Sequence, residues 1–171
     1  EAILKIKGSN NGNDLLLKNI IYSENKSKIE IDNLKIENNK ISYLDKIKFN
    51  YLTENNYKNE LYLKRSNKDY ELIGKSYDAE KLIEMISDSD TSKNLLDFFN
   101  NLNSKIKIKI QNVKLDDKNE IYNLNGYLYI QNNKIFNLDI NSKFSDNEKI
   151  YFKIKFENDE KSITNFYSDR A

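Results

Sequence analysis

Along most of the chain, apolar and polar residues alternate with period two, in runs bounded by clusters of Asn, Asp, Lys and Ser. Successive side chains of a strand point to opposite faces, so the pattern predicts an antiparallel meander with one dry face and one wet face. The sharpest case is Lys105 to Ile110, where Ile106, Ile108 and Ile110 fall on one face and Lys105, Lys107 and Lys109 on the other. Phe152, Ile154 and Phe156 alternate in the same way with Tyr151, Lys153 and Lys155, and Leu128 and Ile130 with Tyr127 and Tyr129. Phe136, Leu138 and Ile140 alternate with Asn137, Asp139 and Asn141. In the first half, strands are expected over 2–7, 15–22, 28–36, 41–51, 61–65 and 70–75, with short polar connections suited to hairpins.

The period changes between Asp78 and Leu102. Leu82, Ile83, Met85 and Ile86, then Leu95, Leu96, Phe98, Phe99 and Leu102, recur at the three- and four-residue spacing of an amphipathic helix. Two short helices are therefore expected, the first capped by Asp78 and ended by the 87–90 stretch, which caps the second. The resulting organisation is a strand-rich repeat over 1–77, a helical insertion over 78–103 and a β-meander over 104–171, all in one continuous domain. The chain opens on Glu1 instead of Met and closes in an extended-looking stretch, so a piece of a longer protein is expected.

Composition sharpens this picture at the turns. There are 4 Gly and no Pro, so Asn and Asp must supply the left-handed positions that tight turns need. Turns are expected at 116–119, 131–134, 145–149 and 158–161. With 171 residues, 38% of them hydrophobic and 12% aromatic, the chain has material for one folded domain. The excess of Asn, Lys, Ile and Tyr has the form of codon bias and carries no functional signal.

Charge and missing residue types narrow the chemistry. Against 28 basic residues stand 27 acidic ones, and a net charge of +1 gives no whole-molecule field toward nucleic acid, so no nucleic-acid partner is expected. Without His or Cys the chain lacks the commonest general base, the thiol nucleophile and the usual zinc ligands. Neither an enzyme nor a cofactor is expected. Asp88 and Asp90 resemble the start of a calcium loop, but the Gly at its sixth position and the Glu at its twelfth are lacking, so they read as helix caps. The Asp116-Asp117 and Asp159-Glu160 pairs are adjacent in sequence and diverge on a strand or face water in a turn. Gly8, Gly12, Gly74 and Gly126 are isolated and suit turns or bulges, and Asn25-Lys26-Ser27 is a chance glycosylation sequon. Lys and Tyr interleaved on the wet face read as a solvated surface that discourages edge pairing. No apolar run reaches the roughly 18–20 residues of a membrane span. The remaining feature is the apolar stripe itself, which must either pack on a second sheet or line a groove that an apolar ligand fills.

From Tyr70 to Ile86, "YELIGKSYDAEKLIEMI", a strand ends at Gly74 and leads into Asp78 and an apolar helical pattern. A polar linker and the meander "IKIKIQNVKLDDKNEIYNLNGYLYIQNNKIFNLDINSKF" follow, and the chain closes on "SITNFYSDRA". This order resembles the C-terminal region of the AsmA-like envelope proteins, the group of AsmA, TamB and YhdP, whose recurrent strand is followed by a Ser-Asp-x-Ala turn. The resemblance covers the chain from Tyr70 onward; the first 70 residues share only the strand-rich character. It implies an elongated, curved β-meander forming an open groove, in a bridge-type lipid transfer protein of Gram-negative bacteria. Such a protein is anchored to the inner membrane through a segment outside this chain, lies in the periplasm, and carries phospholipid acyl chains toward the outer membrane with possible envelope-protein partners. On that reading the groove is lined by Ile106, Ile108, Ile110, Leu128, Ile130, Leu138, Ile140, Phe152, Ile154 and Phe156. The alternative is a closed β-sandwich serving as an adhesive or interaction module, in which the same residues form an ordinary core.

Overall fold

The structure, a computed structural model, describes residues 1–81, 95–145, 147–158 and 161–169. Every period-two stretch forms a strand: β1 (Ala2–Asn11), β2 (Asp14–Glu24), β3 (Ser27–Glu37), β4 (Lys40–Leu52), β5 (Lys58–Ser66), β6 (Asp69–Asp78), β7 (Ser104–Lys114), β8 (Glu120–Gln131), β9 (Lys134–Lys143), β10 (Lys149–Asn158) and β11 (Lys161–Ser168). These form one 11-stranded sheet in which each strand neighbours the next in chain order, from β1 to β11. The sheet is open, with β1 and β11 as its two edges, where a sandwich would have required two sheets face to face.

The expectation of an entirely antiparallel meander is corrected at one place. β6 and β7 pair in parallel, with Tyr70 opposite Ile106 and Leu72 opposite Ile108. Parallel neighbours cannot be joined by a hairpin, so the connection over 79–103 returns the chain from the Asp78 end of the sheet to the Ser104 end. The helices expected there are also corrected. A helical start at Glu80 and Lys81 is present, and the remainder of the first expected helix lies outside the described residues. Of the second, the described residues form a single 3-10 turn, Leu95–Phe98, after which Phe99 forms a parallel bridge to Ile41. Helical spacing in the sequence is overridden here because the Asn100 N–H donates to the Ile41 carbonyl at 2.8 Å, and Asn101 takes a left-handed conformation at φ 54°. Both remove residues from any continuing helix.

The turns follow the composition. Among the described residues every non-glycine position with positive φ is an asparagine. Asn38 (φ 49°) with Asn39 (φ 62°), and Asn132 (φ 50°) with Asn133 (φ 60°), fill both centres of two-residue hairpin loops, the geometry that matches the twist of the flanking strands. Asn33 and Asn123 take the same conformation within β3 and β8, where it breaks the alternation.

The wet face is stitched by ion pairs that lie next to or across strands. Lys46 meets Asp32 at 2.7 Å, Lys64 meets Glu71 at 2.9 Å, Lys75 meets Glu60 at 2.7 Å, and Lys28 and Lys48 both meet Glu30. The Lys46 ammonium and the Asn19 amide hold the Asp32 carboxyl below its ordinary range, and Lys64 does the same to Glu71. A small core cluster of Ala79, Ile110, Val113 and Ile121 lies where the connection leaves β6, with Leu61, Leu72 and Ile108 packed against it.

Candidate functional site: the apolar sheet face

The register of each pair determines which side chains share a face, because directly opposed residues point the same way. Ile106 stands opposite Leu128, Leu128 opposite Leu138, and Leu138 opposite Ile154. Ile108 faces Gly126, which faces Ile140, which faces Phe152. Ile110, Ile130 and Phe156 lie two residues further along β7, β8 and β10 on the same face. All the groove residues expected from the sequence therefore meet on one side of the sheet.

They are not equally accessible. Ile110 (5% exposed) and Ile130 (1%) are core residues, whereas the others are half-buried. Ile110 belongs to the cluster around Ala79. Beside Ile130, the segment before β7 is fastened to the β8–β9 turn: the Leu102 N–H donates to Asn133 Oδ1 at 2.5 Å and Asn133 Nδ2 donates to the Phe99 carbonyl at 2.9 Å. The two core positions thus mark the two places where the 79–103 connection is attached. Between them no second sheet lies over the face among the described residues.

The face extends well beyond the residues singled out from the sequence. Ile6, Ile20, Ile31, Ile47, Leu63 and Leu72 oppose one another in turn from β1 to β6, and Leu72 opposes Ile108. Phe152 continues the row to Phe166 of β11, its ring meeting the Phe166 ring edge-on at 6.4 Å. One apolar ladder therefore crosses all the strands, interrupted only at Gly126. The alternation in β1 to β6 carries this signal, but the left-handed Asn33 and the register shifts at Lys7/Gly8 and Glu60/Leu61 blur it in the sequence. Toward the edges the ladder is open to solvent, with Ile6 54% and Phe166 64% exposed.

The attachment of the connection at the β6 end involves groups that the pattern did not single out. Asn59 is fully buried; its Oδ1 accepts from the Asp78 N–H at 2.7 Å and its Nδ2 has no partner among the described residues. Asp78 caps the helical start as expected, accepting from the Glu80 N–H at 3.2 Å. The Ala79 N–H donates to the Lys114 carbonyl at 2.8 Å. Lys114 Nζ lies 2.9 Å from Asp117 and 3.2 Å from Glu80, and these carboxylates hold its pKa above the ordinary lysine value.

Asp116 is a turn residue, its carboxylate accepting from the Lys118 and Asn119 N–H groups at 2.8 Å. Asp88, Asp90 and the Asp159-Glu160 pair lie outside the described residues. No group of His, Cys, Asp and Glu among the described residues could hold a metal ion, and no described helix is long and apolar enough to cross a membrane. No family model, curated protein or solved structure matches the chain.

Proposed function

We propose that this sheet is a segment of an AsmA-like, bridge-type lipid transfer surface that shields phospholipid acyl chains between an inner and an outer membrane. The observation that supports this reading is the apolar ladder from Ile6 to Phe166, which no second sheet covers among the described residues. A half-buried apolar strip of that extent, open to solvent at its edges, calls for an occupant. Acyl chains fit its chemistry: burial is worth about 0.8 kcal/mol per methylene and is non-directional, so a chain held along the ladder slides without breaking a specific bond. The half-buried positions Ile106, Ile108, Leu128, Leu138, Ile140, Phe152, Ile154 and Phe156 supply that contact, and Ile110 and Ile130 support it from the core. The headgroup stays in water, which makes selectivity between headgroups weak. On this reading the chain works in the periplasm, tethered to the inner membrane through a segment outside it.

The test is mass spectrometry of lipid extracted from the domain after expression in the bacterial envelope, beside a soluble β-sandwich protein purified in the same way. Phospholipid near stoichiometric amounts is expected, and none above the control would reject the reading in favour of an interaction module.

A further inference from the structure

The wet face is not uniform. On the β2–β6 side its lysines are matched by carboxylates: Lys46 by Asp32, Lys64 by Glu71, Lys28 and Lys48 by Glu30. On β7 the pattern changes. Lys105, Lys107 and Lys109 are exposed, and among the described residues none of them has an ion pair. Lys105 rests on the Tyr127 ring at 4.2 Å, and a shallow cleft of about 720 Å³ runs past the three ammonium groups between β6 and β8. Three strands away, Lys155 is again exposed and unpaired among the described residues, while Lys153 meets Asp139 at 3.3 Å.

Strand geometry gives this patch two dimensions. Lys105 to Lys109 spans about 14 Å along β7, and β7 to β10 spans about 14 Å across the sheet. Between these lysines stand Tyr129 and Tyr127 of β8 and Tyr151 of β10, on the same face. The patch holds Lys105, Lys107, Lys109, Lys153 and Lys155 against two carboxylates in or beside it, Glu71 opposite Lys107 and Asp139 opposite Lys153. The net charge of +1 conceals this excess because other carboxylates sit in turns and in the connection, as at Asp116, Asp117 and Glu80. Lysines in excess over carboxylates, spread in two dimensions across the sheet with tyrosines between them, match an array of phosphates at a water–lipid boundary. A single-stranded polyanion would instead call for charge confined to the line along the cleft beside β7, whereas Lys155 carries it three strands further across the sheet.

We propose that the wet face of β7–β10 docks flat on an anionic phospholipid bilayer. This does not rest on the acyl-chain reading, which concerns the opposite face. Docking through β7–β10 leaves the apolar ladder facing away from that bilayer. Each lysine near an anionic surface strengthens attachment by about fivefold, and salt screens the attraction within a Debye length.

The experiment is flotation of the purified chain with vesicles of phosphatidylcholine containing about 30% phosphatidylglycerol, at about 0.1 M and about 1 M salt. Binding at the lower salt and release at the higher are expected, with none to pure phosphatidylcholine. The triple variant Lys105→Gln, Lys107→Gln, Lys109→Gln should lose on the order of 100-fold in affinity, keep its circular dichroism spectrum and retain any lipid that copurifies. Lys28→Gln, Lys46→Gln, Lys48→Gln removes the same charge from paired positions and should lose much less. Equal loss in the two triple variants would overturn the placement. Equal binding to neutral vesicles would overturn the electrostatic origin. Binding of an oligothymidylate in place of vesicles would overturn the choice of a bilayer.

Discussion

Asparagine takes over a role that glycine fills in most β-meanders. At Asn39, φ 62° costs a residue with an ordinary Cβ about 1–2 kcal/mol, and the short amide side chain reduces that cost by local hydrogen bonding. Asn39→Ala should therefore lower stability by about 1 kcal/mol while Asn39→Gly leaves it nearly unchanged, as read from urea denaturation midpoints. Gly126 is a different case. A Cβ there would lie 2.0 Å from the Asp139 carbonyl oxygen, and φ is 155°, so Gly126→Ala must push β8 away from β9. A loss above about 2 kcal/mol is expected in the same measurement. The sequence singled out Gly126 as an isolated glycine; the reason for it, the close approach of the β9 backbone, exists only once the strands are paired.

At the scale of elements, strand pairing is supported by charge on one face and by apolar contact on the other. The carboxyls of Asp32, Glu30 and Glu71 titrate below their ordinary values in the folded chain, chiefly through hydrogen bonds from Lys46, Lys28 and Lys64 respectively. A lowered folded pKa means that these groups stabilise the fold above the unfolded carboxylate range and lose that contribution as pH falls through it. The melting temperature should decline as pH drops from about 6 to about 3, and Asp32→Asn with Glu71→Gln should flatten that decline. A profile as steep in the double variant as in the parent would remove these pairs from the explanation. At its β7 end the 79–103 connection is held to the β8–β9 turn through Asn133. Asn133→Gly keeps the left-handed turn but removes the bonds to Leu102 and Phe99, so it should cost about 1–3 kcal/mol where Asn132→Gly costs little.

For the whole molecule, the consequence of a single sheet is that its apolar face is half-buried instead of sealed. Ile154 sits between Leu138 and Thr164 on that face, away from the Ala79 cluster, while Ile108 packs against it. Ile154→Asp should therefore leave a folded chain with reduced lipid occupancy, and Ile108→Asp should lose more stability for the same change in lipid. Calorimetry beside lipid mass spectrometry reads both. Complete unfolding of the Ile154 variant would mean that the face is a sealed core, since an unpaired charge is tolerated only where water or a displaceable ligand reaches it.

The alternation of Ile, Leu and Phe with Lys, Tyr and Asn determined by itself that the chain forms strands, where most of them lie, and which residues of β7 to β10 share a face, apart from Phe136, which a bulge opposite Tyr129 and Ile130 brings against the Tyr129 ring of the wet face. It could do so because side-chain direction in a strand is a local property with period two. The asparagine-rich turns were legible for the same reason, since φ preference belongs to the single residue. Tertiary structure alone decided that the strands form one open sheet, that β6 and β7 run parallel, and that Leu95–Phe98 is one 3-10 turn and not an α-helix. It also decided that Ile110 and Ile130 are core, and that Asn59, Lys114 and Asn133 hold the connection. Each of these depends on contacts between residues far apart in the chain, whose partners the local period does not specify.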